Sequence, residues 1–337
     1  MSLYPLFIIA EMSGNHNQSL DRAFAIVDAA AEADVDAIKL QTYTADTITM
    51  KGVHTITDKN SLWYGKELHD LYKEAYTPWD WHKAIFERAK AKGIICFSSP
   101  FDESAVDFLE TLNCPIYKIA SFENTHHPLL KKVAKTGKPV IMSTGVANLE
   151  DILASVAVLK KSGATDITLL KCTSTYPATS ENSNLLTIPL LQQIFPDCKI
   201  GLSDHTMGIG VSIASIALGG CVIEKHFTLR RADGGVDATF SMEPQEMKQL
   251  VYESKQAYLA LGSPQLTIQK AEEKSVLYKR SIYVSKDIKA GEMFTEDNLK
   301  IIRPANGLEP KYWDFIIGKK SSVDLKKGQP LNFDTLL

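Results

Sequence analysis

The chain has 337 residues, 45% of them hydrophobic, with a formal net charge of −3. That length holds one large domain plus a small one, and a charge so near balance gives no electrostatic case for a nucleic-acid partner. No apolar run approaches the roughly 18 residues of a membrane span, and the start, MSLYPLFIIAEMSGNH, lacks a charged leader region and a small-residue cleavage site. A cytoplasmic protein with no membrane partner is expected. The five cysteines (Cys96, Cys114, Cys172, Cys198, Cys221) are odd in number and lack CxxC spacing. They suit reduced, buried thiols and argue against a structural zinc site.

Short β-rich runs follow one another: LFIIAE (6–11), AIKLQT (37–42), IICFSS (94–99), PIYKIAS (115–121), PVIMST (139–144), ITLLKCT (167–173), KIGLSD (199–204) and CVIEKHF (221–227). Helical periodicity follows each. After the first, Leu20, Ala23, Phe24, Val27, Ala30 and Ala31 share one face, with Ser19 placed to cap. After the eighth, Met247, Leu250, Val251, Ser254, Tyr258 and Leu261 do the same, with Pro244 near the helix start.

Eight β-then-α units over about 260 residues fit a (β/α)8 TIM barrel. A doubly wound sheet would want a glycine-rich phosphate turn after the first strand, and AEMSGNHNQS has a single glycine there. The segment 43–77, carrying Trp63, Tyr64, Tyr72 and Tyr76, is too long for an ordinary βα loop. It reads as an active-site loop, a small hairpin excursion, or both. The barrel is assigned to 1–262 and a polar connector to 263–276. A small β-rich domain follows over 277–337, in which KDIKAGEMFTEDNL and VDLKKGQPLNFDTL form a weak internal repeat.

In a closed barrel alternate strand residues point inward. Glu11 shares a phase with Ile9, Lys39 with Gln41, Ser203 with His205, and Glu224 with His226; Lys118 lies in the fourth strand and Ser121 just past it. Charged groups are costly to bury without partners, and barrel enzymes place catalytic groups at the C-terminal strand ends. His205 and His226 fall on adjacent strands and make half of a divalent-metal site. With no third and fourth ligand of equal quality, an open site completed by water and substrate oxygen suits Mn²⁺ or Mg²⁺. Glu11 is a ligand or a base; spacing does not decide. Lys39, Lys118, Ser99, Ser121 and Ser203 add positive charge and hydroxyls suited to a phosphate or carboxylate. Asp204, in the opposite phase, reads as a supporting residue. The residues alone lead to a metal-dependent barrel enzyme for a small anionic substrate.

IIAEMSGNHNQSLDRA, IKLQTYTADT, YKIAS, GLSDHT, IEKHFTL and IIRPANG together resemble the sialic acid synthase family, in order and over nearly the whole chain. The last domain is similar to that family's antifreeze-protein-like (β-clip) module. Within the family, LWYGKELHDLYKEAYTPWDW and LRRADGGVDATFSMEPQEM most resemble the pseudaminic acid synthases. Synthases acting on N-acetylmannosamine tend to have Gly-Pro-Asp at Gly235-Val236-Asp237. The resemblance implies that phosphoenolpyruvate condenses with the open-chain aldehyde of an acetamido sugar, giving a nine-carbon 2-keto acid and phosphate by C–O cleavage. It implies a divalent ion on His205 and His226 (Mn²⁺, with Mg²⁺ or Co²⁺ as alternatives) and Glu11 as the catalytic glutamate. It further implies phosphoenolpyruvate contacts from Lys39, Ser99, Lys118, Ser121, Ser174 and Ser203, and sugar contacts from Gln41, Tyr176 and Asp237.

Arg303 matches an arginine that one subunit of a domain-swapped homodimer brings to its partner. Two departures stand out: Cys172-Thr173-Ser174 where the family often reads Cys-Thr-Asn, and Arg303-Pro304-Ala305-Asn306-Gly307 where it reads Arg-Pro-Gly. The alternatives are the same reaction on N-acetylmannosamine or the legionaminic acid precursor, and a non-catalytic carbohydrate- or ice-binding protein. An ice binder would want a flat, Thr-rich face, and LYKRSIYVSKDIKAGEMF is rich in Lys instead.

Overall fold

Eight parallel strands close into a barrel in which every neighbour in sequence is a neighbour in space. The computed structural model describes residues 6–59 and 61–337, which fall into two units, Met1–Gly262 and Ser263–Leu337. The first quarter runs β1 (Phe7–Glu11), α1 (Leu20–Glu32), β2 (Ala37–Thr42), α2 (Ala45–Ile48), α3 (Leu68–Ala75) and α4 (Trp79–Ala91). Then come β3 (Ile95–Pro100), α5 (Glu103–Thr111), β4 (Tyr117–Ile119), α6 (His127–Ala134), β5 (Val140–Ser143) and α7 (Leu149–Lys161). The barrel closes with β6 (Ile167–Cys172), α8 (Thr187–Ile194), β7 (Lys199–Asp204), α9 (Gly210–Ala217), β8 (Val222–His226) and α10 (Pro244–Leu261). Each of the eight expected runs carries a strand. Among the described residues no helix is long and apolar enough to cross a membrane.

Helix α1 starts where Ser19 accepts a hydrogen bond from the Arg22 N–H, satisfying one orphan donor of the first turn. Its buried face is Ala23, Ile26, Val27 and Ala30, rotated from the expected stripe. Ile26 packs with the outward-facing barrel residues Ile8, Ala10 and Ile38, while Phe24 lies at the edge under the Arg88 guanidinium. Helix α10 buries Met247, Leu250, Val251 and Ser254, with Pro244 in its first turn. Leu261 is 48% exposed because a helix of that length, about 27 Å at 1.5 Å per residue, outruns the strands it covers.

The segment after β2 is an ordered excursion. It holds α2, α3 and an antiparallel bridge between Thr55 and Glu67, and Trp63 Nε1 donates to the Val236 carbonyl at 3.1 Å. Beneath it lies a polar chain. Ser98 and Thr42 hydroxyls meet at 2.6 Å, Thr42 Oγ1 meets His82 Nε2 at 2.8 Å, and His82 Nδ1 meets the Pro78 carbonyl at 3.1 Å. The carbonyl accepts, so Nδ1 carries the proton and Nε2 accepts from Thr42. Burial first, then the Pro78 and Trp79 carbonyls and Asp80 opposing it, leaves His82 at about 4. Burial and the neighbouring His82 put His16 at about 4 also.

A histidine with a depressed folded pKa is neutral in both states above pH 6.5 and costs nothing there. As pH falls toward 4 the unfolded chain takes up a proton that the folded protein refuses, so stability is lost. Denaturant titrations at pH 7 and pH 4.5 are expected to show wild type losing about 2–3 kcal/mol more than His82→Gln over that interval. Parallel losses in the two proteins would contradict this.

In the second unit, β9 (Ser281–Val284) pairs antiparallel with β10 (Leu299–Ile302) over a core of Ile282, Val284, Ile288, Phe294, Leu299, Ile316, Leu325 and Leu331. The internal repeat is a structural one. Ile288 and Leu325 exchange backbone hydrogen bonds at 2.9 and 2.8 Å. Lys289 pairs with Asp324 at 2.9 Å, and Lys326 with Asp287 at 2.8 Å. Each turn closes on a glycine with positive φ, Gly291 at 82° and Gly328 at 90°, a conformation open to a residue without Cβ. The two copies therefore clasp each other with the same lysine and aspartate.

Candidate active site

Strand register places the polar residues before any side chain is considered. Glu11 lies opposite Lys39 on β2 and opposite His226 on β8, Gln41 opposite Ser99, and Ser203 opposite Glu224. Glu11, Gln41, Ser99, Ser203 and His226 lie at the carboxyl ends of their strands, and Lys39 and Glu224 two residues before Gln41 and His226. Four charged side chains meet there, each between 1% and 4% exposed: Glu11, Lys39, Lys118 and Glu224. Lys39 Nζ lies 2.9 Å from Glu11 Oε2 and 3.4 Å from Glu224 Oε2. Lys118 Nζ lies 3.4 Å from Glu224 Oε1 and donates to Ser143 Oγ at 2.8 Å. Two carboxylates and two ammonium groups leave the quartet neutral, which is how such burial is tolerated.

The two carboxyls are not equivalent. Burial raises Glu11, with the Glu224 charge adding to it and Lys39 opposing. Burial acts on Glu224 too, but Lys118 and Lys39 overcome it and hold that carboxyl low. The same pair of carboxylates raises Lys39 against its burial, whereas burial prevails over Glu224 at Lys118 and lowers it. One carboxylate is fixed as a counter-ion and the other is disposed to exchange a proton.

His205 and His226 face each other with ring centroids 5.3 Å apart. His205 Nδ1 meets the Thr173 carbonyl at 3.0 Å, closer than the Cys172 thiol at 3.9 Å. Donation to that carbonyl leaves Nε2 with its lone pair, the arrangement of a metal-ligating imidazole. His226 Nδ1 is buried without a hydrogen-bond partner, although Asp237 Oδ2 lies 3.5 Å away. Burial, then the neighbouring His205, pushes His226 well below its ordinary value, so it stands as the neutral ring a cation needs. These two residues fit a divalent ion. Among the described residues no group of three or more His, Cys, Asp or Glu is placed to hold one.

The remaining expected residues divide by place. Ser99 Oγ accepts from Lys39 at 3.3 Å, and Ser203 Oγ donates to Glu224 at 2.9 Å. Ser121 and Ser174 flank the Cys172 sulfur at 3.4 and 3.6 Å. Gly145 sits between those two serines, where a Cβ would collide with both hydroxyls. Gln41 Nε2 donates to Glu11 Oε1 at 2.9 Å. Tyr176 packs on His205, centroids 4.6 Å apart, and Phe240 lies edge-on to His226 at 5.0 Å. Asp204 turns outward to Lys225 at 2.9 Å and accepts from Ser212 at 2.6 Å, the supporting role its phase suggested. Arg303 is exposed and directly follows β10 in the second unit.

Four residues at the mouth were not singled out from the sequence. Ser143 ends β5 in phase with Ile141, the pattern that exposed the other sites. Cys172 reads as an ordinary buried thiol, yet its sulfur lies between the Ser121 and Ser174 hydroxyls and 3.9 Å from His205 Nδ1. Glu123 carries a buried Oε2 without a hydrogen-bond partner and is raised to about 7 by burial against Lys118. Ser13 follows Glu11 by two residues.

A closed parallel barrel with its buried charges gathered at the carboxyl ends of its strands is an enzyme of the (β/α)8 class. The particular family follows from comparison: the NeuB family model matches residues 26–265 and the SAF domain model matches 279–337. The chain belongs to the NeuB family. It is 43% identical over 327 residues to a pseudaminic acid synthase of Campylobacter jejuni subsp. jejuni, covering 97% of this chain and 95% of that one. It is 42% identical over 336 residues to a pseudaminic acid synthase of Helicobacter pylori, covering 99% and 98%. Among solved structures, the N-acetylneuraminic acid synthetase of Leptospira borgpetersenii serovar Hardjo-bovis, in complex with citrate, superposes with a TM-score of 0.73 at 33% identity. That match covers 81% of this chain and 91% of the other.

Proposed function

We propose that this protein is a pseudaminic acid synthase, condensing phosphoenolpyruvate with the open-chain aldehyde of 2,4-diacetamido-2,4,6-trideoxy-altrose. The products are pseudaminic acid and phosphate. The observation that carries the reading is one coincidence of place: the neutral quartet of Glu11, Glu224, Lys39 and Lys118 adjoins the imidazole pair, in a chain whose full-length likeness is to pseudaminic acid synthases.

In this reading Lys39 and Lys118, with Ser99, Ser121, Ser174 and Ser203, hold the carboxylate and phosphate of phosphoenolpyruvate. Gln41, Tyr176 and Asp237 hold the sugar. A divalent ion on His205 and His226, Mn²⁺ for preference, would supply Lewis-acid polarisation of the aldehyde oxygen. C3 of phosphoenolpyruvate forms the new C–C bond to the aldehyde carbon, and water adds at C2. The tetrahedral centre then expels phosphate by breaking its C2–O bond. Glu11, raised by burial, accepts the proton of the adding water. The reading includes a cytoplasmic homodimer.

Incubation with phosphoenolpyruvate, Mn²⁺ and one sugar at a time tests the assignment. Phosphate release is expected with 2,4-diacetamido-2,4,6-trideoxy-altrose. Release with N-acetylmannosamine alone, or with the legionaminic acid precursor alone, overturns it in favour of that sugar.

A further inference from the structure

We propose that Ser13 is a positioning residue that aims Gln41 and Asp237 at the sugar, and so sets affinity for the sugar without setting affinity for phosphoenolpyruvate. The inference rests on the functional reading above.

Ser13 lies two residues past Glu11, is 3% exposed, and adopts φ of 46°, a left-handed conformation uncommon outside glycine. Its hydroxyl donates to Asp237 Oδ2 and accepts from Gln41 Nε2 at 3.2 Å. A hydroxyl has one proton and two lone pairs, so these two bonds are compatible only in that sense. Gln41 Nε2 spends its other hydrogen on Glu11 Oε1 at 2.9 Å. Both amide hydrogens are thereby used, and Oε1 is what Gln41 has left to offer. Asp237 has Oδ2 engaged and Oδ1 remaining. Both residues then present acceptors.

A ligand met by two acceptors must bring donors. The hydroxyls and acetamido N–H groups of a sugar are donors; the phosphate and carboxylate of phosphoenolpyruvate are not, and two aimed acceptors repel them. Ser13 therefore separates the two substrates chemically.

The loop that follows holds Ser13 in this posture. At Gly14 a Cβ would run into Val236 Cγ2 and the Ala75 carbonyl. Asn15 Nδ2 donates to the Phe227 carbonyl at 2.9 Å and to Ser241 Oγ at 2.8 Å. Asn17 Nδ2 donates to the Gly234 carbonyl at 3.1 Å. The loop after β1 is thus laced to the loop that carries Asp237. With the Ser13 hydroxyl gone, Gln41 loses one of two anchors and Asp237 loses the hydrogen bond that holds its Oδ2.

The test is steady-state kinetics of Ser13→Ala and Ser13→Gly with each substrate varied in turn, alongside thermal unfolding. Glycine suits the backbone angle and alanine keeps Cβ, so the two variants together separate hydroxyl from conformation. Both are expected to raise KM for the sugar about tenfold, leave KM for phosphoenolpyruvate within about twofold, and melt near wild type. A rise in both KM values together, no change in either, or a fall in kcat alone overturns the inference. So does loss of the folded barrel in both variants, which would place Ser13 in the fold rather than in recognition. If wild type turns over none of the candidate sugars, the functional reading fails and takes this inference with it. If wild type turns over and the variants match it, the inference alone fails.

Discussion

Replacing His205 or His226 by alanine is expected to lower kcat/KM about 10³-fold and to abolish stimulation by divalent ions. A bound ion supplies several kcal/mol of transition-state charge stabilisation, and each 1.36 kcal/mol is about tenfold in rate. The two variants differ in what else they disturb. His205 also donates to the Thr173 carbonyl and packs on Tyr176, so its loss frees the loop after β6 as well. His226 makes no hydrogen bond through Nδ1, so its removal leaves the surrounding hydrogen bonds in place. Calorimetric titration of the metal-free protein with Mn²⁺ reads the site without reference to turnover. Binding is expected to weaken sharply in both variants, and His226→Ala is expected to melt closer to wild type than His205→Ala. Unchanged turnover and metal dependence in both would show that the site lies elsewhere.

Much of this site is legible because a barrel strand has a period of two and its end is fixed by the fold. The phase that joins Ser203 to His205 and Glu224 to His226 brings both pairs to one mouth, and β7–β8 pairing sets them side by side. The same rule finds Glu11 and Lys39. It fails where the contact is made through a loop. Asn15 and Asn17 lace the β8 loop and His16 meets Thr77 at 3.2 Å, contacts that no strand phase encodes. They hold up the site without forming its chemistry. Ser13 escapes notice because its partner Asp237 is remote in sequence and its backbone angle leaves no compositional trace. The excursion after β2 hides for a related reason: Trp63 finds the Val236 carbonyl by tertiary packing, which no local periodicity encodes.

Lys39→Met is expected to destabilise the barrel by about 3–5 kcal/mol, the cost of leaving a buried charge without its partner. Lys39 is the one member of the quartet that touches both carboxylates, Glu11 at 2.9 Å and Glu224 at 3.4 Å. Its removal leaves a net negative charge in which Lys118 still answers Glu224 and Glu11 has no cation. Glu11→Gln removes the opposite sign and costs less, because Lys39 keeps Glu224 as a counter-ion. The double variant Lys39→Met/Glu11→Gln returns the site to one carboxylate and one ammonium. It is therefore expected to be more stable than Lys39→Met alone, although both lack the lysine assigned to phosphoenolpyruvate and neither turns over. A preference for packing the methionine stem would stabilise single and double variants alike, so the difference between them isolates the charge. Chemical denaturation of wild type, both single variants and the double variant at pH 7 measures it. Strict additivity of the two single losses would mean that Glu11 and Lys39 do not act as a pair, and that the neutrality of the quartet is not what allows it to be buried.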